Sequence, residues 1–188
     1  MQVGVIGLGR MGGNIARRLM RDGHTCVVHD RDPKAGAELG QEGALGAETL
    51  RDLVTALSPP RTVWIMLPAG SATETTVAAL AEVLAPNDTI IDGGNSFYRD
   101  DIRRAKTLEP KGLNYIDVGT SGGVWGLARG YCLMVGGPHA AVEHIDPILK
   151  SLAPGIGEIP RTQRLAGADP RAEQGYIHAG PVGAGHFV

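Results

Sequence analysis

Val3-Gly4-Val5-Ile6-Gly7-Leu8-Gly9-Arg10-Met11-Gly12 opens the chain with a short apolar run that breaks into Gly-x-Gly-x-x-Gly. From Asn14 to Arg21, Ile15, Leu19 and Met20 then recur at helical spacing, so the stretch reads as strand, glycine turn, helix. Each glycine answers a separate physical demand. Gly7 permits the tight turn, Gly9 lets a pyrophosphate reach the backbone, and Gly12 lets the helix pack on the strand. The amides at the start of the helix, with Leu8, Arg10 and Met11 between the glycines, form the rest of the predicted cofactor cradle. Asp30, closing the second strand Thr25 to His29, stands at about the separation of roughly 20 residues at which an acidic group meets the adenosine ribose. A carboxylate there favours NAD, because the 2′-phosphate of NADP would bring like charges together. Arg31 beside it is the one residue that keeps NADP in view, by pairing with that phosphate or stacking on adenine.

Outward from this unit the same alternation repeats. Helices are predicted from Pro33 to about Leu39, over Leu50 to Leu57, Ala72 to Leu84 and Tyr98 to Leu108, and near Ala140 to Leu152. Between them lie apolar strands at Val63 to Leu67, Thr89 to Ile91, Tyr115 to Val118 and Tyr131 to Val135. Continuous apolar strands alternating with helices predict an α/β fold, Rossmann-like and doubly wound, with a mainly parallel sheet covered on both faces. Residues 161–178 are polar and aperiodic and read as a long surface connection. One domain over residues 1–178 is therefore expected, followed at 179–188 by the start of a further helix.

Composition narrows the partners. With 18 Lys+Arg against 20 Asp+Glu the net charge is −2, which provides no basic field for nucleic acid and no pull toward an anionic membrane. A small molecule is the expected partner. The 28 glycines are about twice the average share of roughly 7% and cluster in short motifs. Cys26 and Cys132 sit in apolar stretches and read as buried small hydrophobes, which suits a reducing cytoplasm. The N-terminus lacks a basic segment ahead of its apolar run, so neither a signal peptide nor a spanning helix is expected. The six histidines show no i, i+4 pair and no Cys-His cluster, so solvated or capping roles are expected for them and metal ligation is not. Trp64 and Trp125 read as core or loop packing.

Three further turns fall at strand ends, where ligands bind in open α/β sheets. Leu67-Pro68-Ala69-Gly70 follows the third long strand. Asp92-Gly-Gly-Asn95-Ser96 follows the next, with an amide at Asn95 able to serve a nicotinamide or a sugar hydroxyl; its alternative reading is that Asn95 or Ser96 caps the following helix. Thr120-Ser121-Gly122-Gly123 joins a hydroxyl to two unshielded amides, which suits a carboxylate or polyol oxygen.

Together with Gly180-Pro-Val-Gly-Ala-Gly185, these motifs resemble the ordered set of the 6-phosphogluconate dehydrogenases, within the β-hydroxyacid dehydrogenase superfamily. Gly119-Thr-Ser-Gly-Gly-Val-Trp-Gly126 and Arg129-Gly-Tyr-Cys-Leu-Met134 are most similar to the shorter, NAD-preferring members. The resemblance implies NAD(P)-dependent oxidation of the C3 hydroxyl of 6-phosphogluconate, then decarboxylation to ribulose 5-phosphate, a step of the pentose phosphate pathway. It places Asn95 between nicotinamide and substrate, and Ser121, Gly122 and Gly123 at the substrate's carboxylate and hydroxyl end. It also implies a homo-oligomer, an all-helical C-terminal domain that this sequence does not contain, and a general-base lysine just past Val188. No catalytic residue is thus expected within the chain, and His186 is not matched to the family's catalytic histidine. A hydroxyisobutyrate- or glyoxylate-type dehydrogenase and a non-catalytic dinucleotide-binding module are the competing expectations.

Overall fold

The computed structural model describes residues 1–157 and 169–188. β1 (Gln2–Ile6) runs into α1 (Arg10–Arg21), and β2 (Thr25–His29) into α2 (Pro33–Gln41). A two-residue β3 (Leu45–Gly46) precedes α3 (Leu50–Ala56), β4 (Thr62–Ile65) and α4 (Ser71–Leu80). β5 (Thr89–Asp92), α5 (Tyr98–Leu108), β6 (Asn114–Ser121) and the short α6 (Gly126–Arg129) follow. β7 (Cys132–Gly136), α7 (His139–His144), α8 (Asp146–Leu152), β8 (Tyr176–Gly180) and α9 (Ala184–Phe187) complete the fold.

Local chemistry sets the element ends. Asp32 accepts from the Lys34 amide ahead of Pro33, and Thr49 with Asp52 forms a reciprocal capping box at α3. Arg18 and Arg21 occupy the last turn of α1, where cations oppose the negative end of the helix dipole. The helix expected near Ala140 to Leu152 is two helices, because Pro147 lacks the N–H needed to continue the ladder.

The strands lie in the order β3-β2-β1-β4-β5-β6-β7-β8, and among the described residues only the β6–β7 pair is antiparallel. The chain winds outward from β1 to β3, then returns to β4 on the other side of β1. A crevice opens at that reversal, beyond the carboxyl ends of β1 and β4. Successive strand residues feed opposite faces. Trp64 and Ile91 join a core with Ile15, Leu19 and Leu149, whereas Val63, Ile65 and Ile90 join another with Leu53, Leu80 and Leu108. Helices therefore cover the sheet on both faces, as the apolar strands require. Among the described residues no helix is long and apolar enough to cross a membrane.

The described part of the expected polar connection contains regular structure. Pro170–Gln174 forms a 3-10 turn, and Tyr176–Gly180 adds a parallel edge strand to β7; residues 161–168 of that reading lie outside the described residues. The pattern hid β8 because an edge strand carrying Tyr176, Ile177 and His178 buries only the tyrosine fully. Residues 179 and 180 belong to this strand, and the helix read from 179 onward is the four-residue α9.

Candidate functional site

Gly7 leaves β1 at φ +87°, and a Cβ there would stand 2.4 Å from the Met66 carbonyl oxygen. Gly12 is packed as closely, its missing Cβ falling only 1.8 Å from the Gly7 oxygen. Gly9 is the contrast: it precedes α1 with no side-chain cap and nothing within 4 Å of a Cβ position. The helix start thus presents amides to open space. Asp30 fastens the turn from the neighbouring strand. Its Oδ2 accepts from the Leu8 amide at 2.6 Å and its Oδ1 from the Asp32 amide at 2.9 Å. A carboxylate has about four acceptor directions, so both oxygens keep capacity for ligand hydroxyls.

These groups border a groove of about 740 Å³, lined by Gly7, Gly9, Asp30, Arg31, Leu67 and Pro68 among others. A second cavity of about 510 Å³ lies over the ends of the next strands, lined by Met11, Asn95, Thr120, Ser121 and His186. Met66 and Leu67 line both, so the two share a wall. Open helix amides, a half-buried carboxylate and a large groove fit an anionic dinucleotide.

The sequence-predicted residues divide accordingly. Leu8 is buried and contributes its amide to Asp30, Arg10 is exposed on the first turn of α1, and Ala69 is exposed outside the groove lining. Asn95 is exposed on the cavity wall, and neither it nor Ser96 caps α5, whose N-cap position is Phe97. Gly122 and Gly123 are exposed beside Ser121 but do not line the cavity. Other expectations are corrected. Cys132 is exposed, since it stands at the outer end of β7 opposite Ser121. Trp64 is fully buried, in line with its core reading, but Trp125 is not packed in: it is 64% exposed, with the Arg129 guanidinium 5.3 Å from its ring centroid. His186 is neither solvated nor a cap: its side chain is 4% exposed and its Nδ1 lies 2.8 Å from Asp101 Oδ2.

His186 belongs to a buried polar cluster that the sequence reading missed. Asp92 Oδ2 accepts from Ser96 Oγ at 2.7 Å, Arg104 at 3.1 Å and Tyr115 at 3.1 Å, and Asp101 Oδ1 accepts from the same arginine and tyrosine. Asp117 takes the Gly183 amide on one oxygen and the His186 amide on the other. Burial works against the Arg104 charge, but Tyr115, Glu74 and Asp92 outweigh it and hold the guanidinium protonated. Burial, then Asp92 and Asp101, push the Tyr115 phenol up. Burial also raises Asp117, against the two amides that favour its ionised form. Atoms of Asp101, Asp117 and His186 fall within 4.8 Å of one another, but hydrogen bonds within the cluster already engage both carboxylates and the ring Nδ1. One signal was available: Asp101 and Arg104 stand in helical phase with buried Leu108, charged groups on an inward face.

A doubly wound sheet with a glycine-framed groove at its switch point, joined to a polar cavity over the adjoining strand ends, defines a dinucleotide-binding domain of the Rossmann class. Its family is shown by comparison. The chain belongs to the family described as the NAD binding domain of 6-phosphogluconate dehydrogenase, whose profile matches residues 2–160. It is 37% identical over 188 residues to the NAD(+)-dependent, decarboxylating 6-phosphogluconate dehydrogenase of Haloferax volcanii, covering 100% of this chain and 56% of that protein. The chain thus spans a little over half the length of that curated relative. Among solved structures it is similar to 6-phosphogluconate dehydrogenase of Plasmodium falciparum, which was determined in apo form and with NADP+ and 6-phosphogluconate. The TM-score is 0.85 at 26% identity, over 100% of this chain and 38% of that one. Mycobacterium tuberculosis 3-hydroxyisobutyrate dehydrogenase shares the fold, with a TM-score of 0.82 at 24% identity over 99% of this chain and 56% of that one.

Proposed function

We propose that the chain is the cofactor-binding part of a decarboxylating 6-phosphogluconate dehydrogenase, serving the pentose phosphate pathway, that prefers NAD to NADP. The observation that carries this reading is the shared wall at Met66 and Leu67, which joins the glycine-framed groove to the cavity bearing Asn95 and Ser121. When bound, NAD supplies the hydride acceptor. The amides around Gly9 to Gly12 hold the pyrophosphate, Asp30 accepts from the adenosine ribose, and Asn95 orients the sugar acid beside the nicotinamide. Ser121, with the amides of Gly122 and Gly123, holds the substrate's carboxylate and hydroxyl end. Loss of the C3 hydride and hydroxyl proton leaves a β-keto acid, which releases carbon dioxide to give an enediol that is then protonated.

We assign no general base to these residues: the resemblance puts that lysine just after the Gly180–Gly185 turn, and Lys150, on α8, is paired with Asp146. A positioned base is worth about 10²–10⁴-fold. Equilibrium titration of the 188-residue chain is expected to show NAD binding at least about tenfold, or 1.4 kcal/mol, tighter than NADP. The same samples given 6-phosphogluconate should form negligible reduced cofactor. Equal or reversed affinities would refute the role given to Asp30, and steady turnover would refute the placement of the base.

A further inference from the structure

Three fully buried carboxylates, Asp92 on β5, Asp101 on α5 and Asp117 on β6, share one pocket of the interior with a single buried guanidinium, Arg104. Glu74 of α4 also takes part of that guanidinium, and Tyr115 of β6 is neutral. Arg104 alone leaves the cluster short of positive charge where water is excluded, an arrangement that strongly favours a second cation. His186 stands where that cation is needed. Its ring meets Asp101 at 2.8 Å, its amide meets Asp117 at 2.9 Å, and the Gly183 amide meets the same carboxylate at 2.6 Å. Tyr98 of α5 adds an edge-to-face contact with Phe187, ring centroids 5.1 Å apart. Nε2 has no hydrogen-bond partner among the described residues, so the ring is held through Nδ1. From Asp101 the contacts continue through Arg104 to Asp92 and Ser96, at the foot of the Asn95 loop.

We propose that His186 is a positioning residue that acts as a protonated latch. While its imidazolium rests on Asp101 it ties the Gly180–Phe187 turn to α5, fixing that turn against the Asn95 loop on the opposite side of the cavity, and loss of the proton releases it. The importance of the spacing for substrate rests on the function proposed above; the latch itself does not. Burial acts to lower the His186 pKa, but the Asp101 hydrogen bond and the fields of Asp101, Asp92 and Asp117 outweigh it and leave the pKa raised. The latch is therefore complete below the ordinary histidine value of 6.5 and opens as pH rises through the higher folded value.

The test follows the His186 ring by NMR from about pH 6 to about pH 9, alongside amide exchange of residues 93–97 and 180–187 corrected for its chemical pH dependence. Both segments should lose about tenfold or more of their protection together as His186 deprotonates, with a midpoint above 6.5. His186→Asn keeps a neutral donor near the Nδ1 position but carries no charge, so it should stay at the unprotected level at every pH and show no step; protection retained in this variant would overturn the charged latch. His186→Ala should lose protection at every pH. A step that survives in His186→Asn, or exchange at 93–97 that ignores His186 protonation in the unsubstituted protein, would overturn the proposal. NAD titration of the same samples separates the two ideas: failure to bind NAD would remove the dehydrogenase reading and leave the exchange result to decide the latch.

Discussion

Gly9 and Gly12 lie within one turn of each other, yet a methyl group should act on them in opposite ways. At Gly12 it meets the Gly7 carbonyl oxygen at 1.8 Å, a backbone atom that no rotamer change can move aside. Gly12→Ala should therefore cost about 1–3 kcal/mol of stability, read as a lower urea midpoint. At Gly9 the position is open and the backbone, at φ −56° and ψ −177°, suits any residue. Gly9→Ala should leave stability within about 0.5 kcal/mol while weakening NAD by about tenfold or more, since the methyl occupies the approach of the pyrophosphate. Undiminished NAD affinity in Gly9→Ala would show that the groove is not used in this way. The turn was legible in sequence because its demands are local: three glycines at fixed spacing after an apolar run, and Asp30 at the next strand end. The role of Asp30 in fastening the Leu8 amide was not, because that bond crosses 22 residues.

At the scale of elements, α5 carries the heaviest polar demand. Its inward face presents Asp101 and Arg104 to the interior strands β5 and β6, which already hold the neighbouring Asp92 and Asp117, all at 2% exposure or less. Replacing Arg104 with methionine keeps much of its volume but strands two fully buried carboxylates, Asp92 and Asp101, and the partly exposed Glu74 without their guanidinium. Breaking a buried ion pair from one side costs about 3–5 kcal/mol, so Arg104→Met should lower the unfolding free energy by that order. Neutralising a carboxylate as well, in Arg104→Met with Asp101→Asn, should recover part of the loss. A single variant within about 1 kcal/mol of the parent would contradict this account of the cluster. The long elements were legible because strand and helix periods differ and both recur strongly along the chain. β3 and β8 were not: one is a two-residue pairing of exposed positions, and the other is an edge strand whose partner residues on β7 lie 43 or 44 positions back in the chain. The inward charges of α5 escaped notice for a related reason. A polar residue reads as outward until the partners that satisfy it are known, and these come from β5, β6 and the final turn.

Across the whole molecule, the two buried or half-buried histidines that titrate away from their usual value pull in opposite directions, and their meeting point predicts a stability maximum. His24 touches Ser151 Oγ at 2.8 Å and the N-terminal amine at 3.1 Å; burial and then the ammonium charge lower its pKa. The unfolded chain therefore takes up that proton first, and the associated stability is present above 6.5 and lost as pH falls through the folded value. His186 is raised, so its contribution is present below 6.5 and lost as pH rises through its own folded value. Carboxylates extend the acid side. Glu42 and Glu74 are lowered first by their hydrogen bonds to Arg17 and Arg103, and their support is lost on passing below the ordinary 4.5; exposed pairs of this kind are each weak. Asp117, raised by burial, runs against them by losing stability as pH climbs from 3.8. Urea midpoints measured across this range should thus peak near 6.5, with His24→Gln flattening the acid limb and His186→Asn the alkaline limb. A midpoint that climbs steadily to about pH 8.5 would mean that the His186–Asp101 contact forms without the proton. The charge deficit around Asp92, Asp101 and Asp117 would then have to be met by protonating a carboxylate instead.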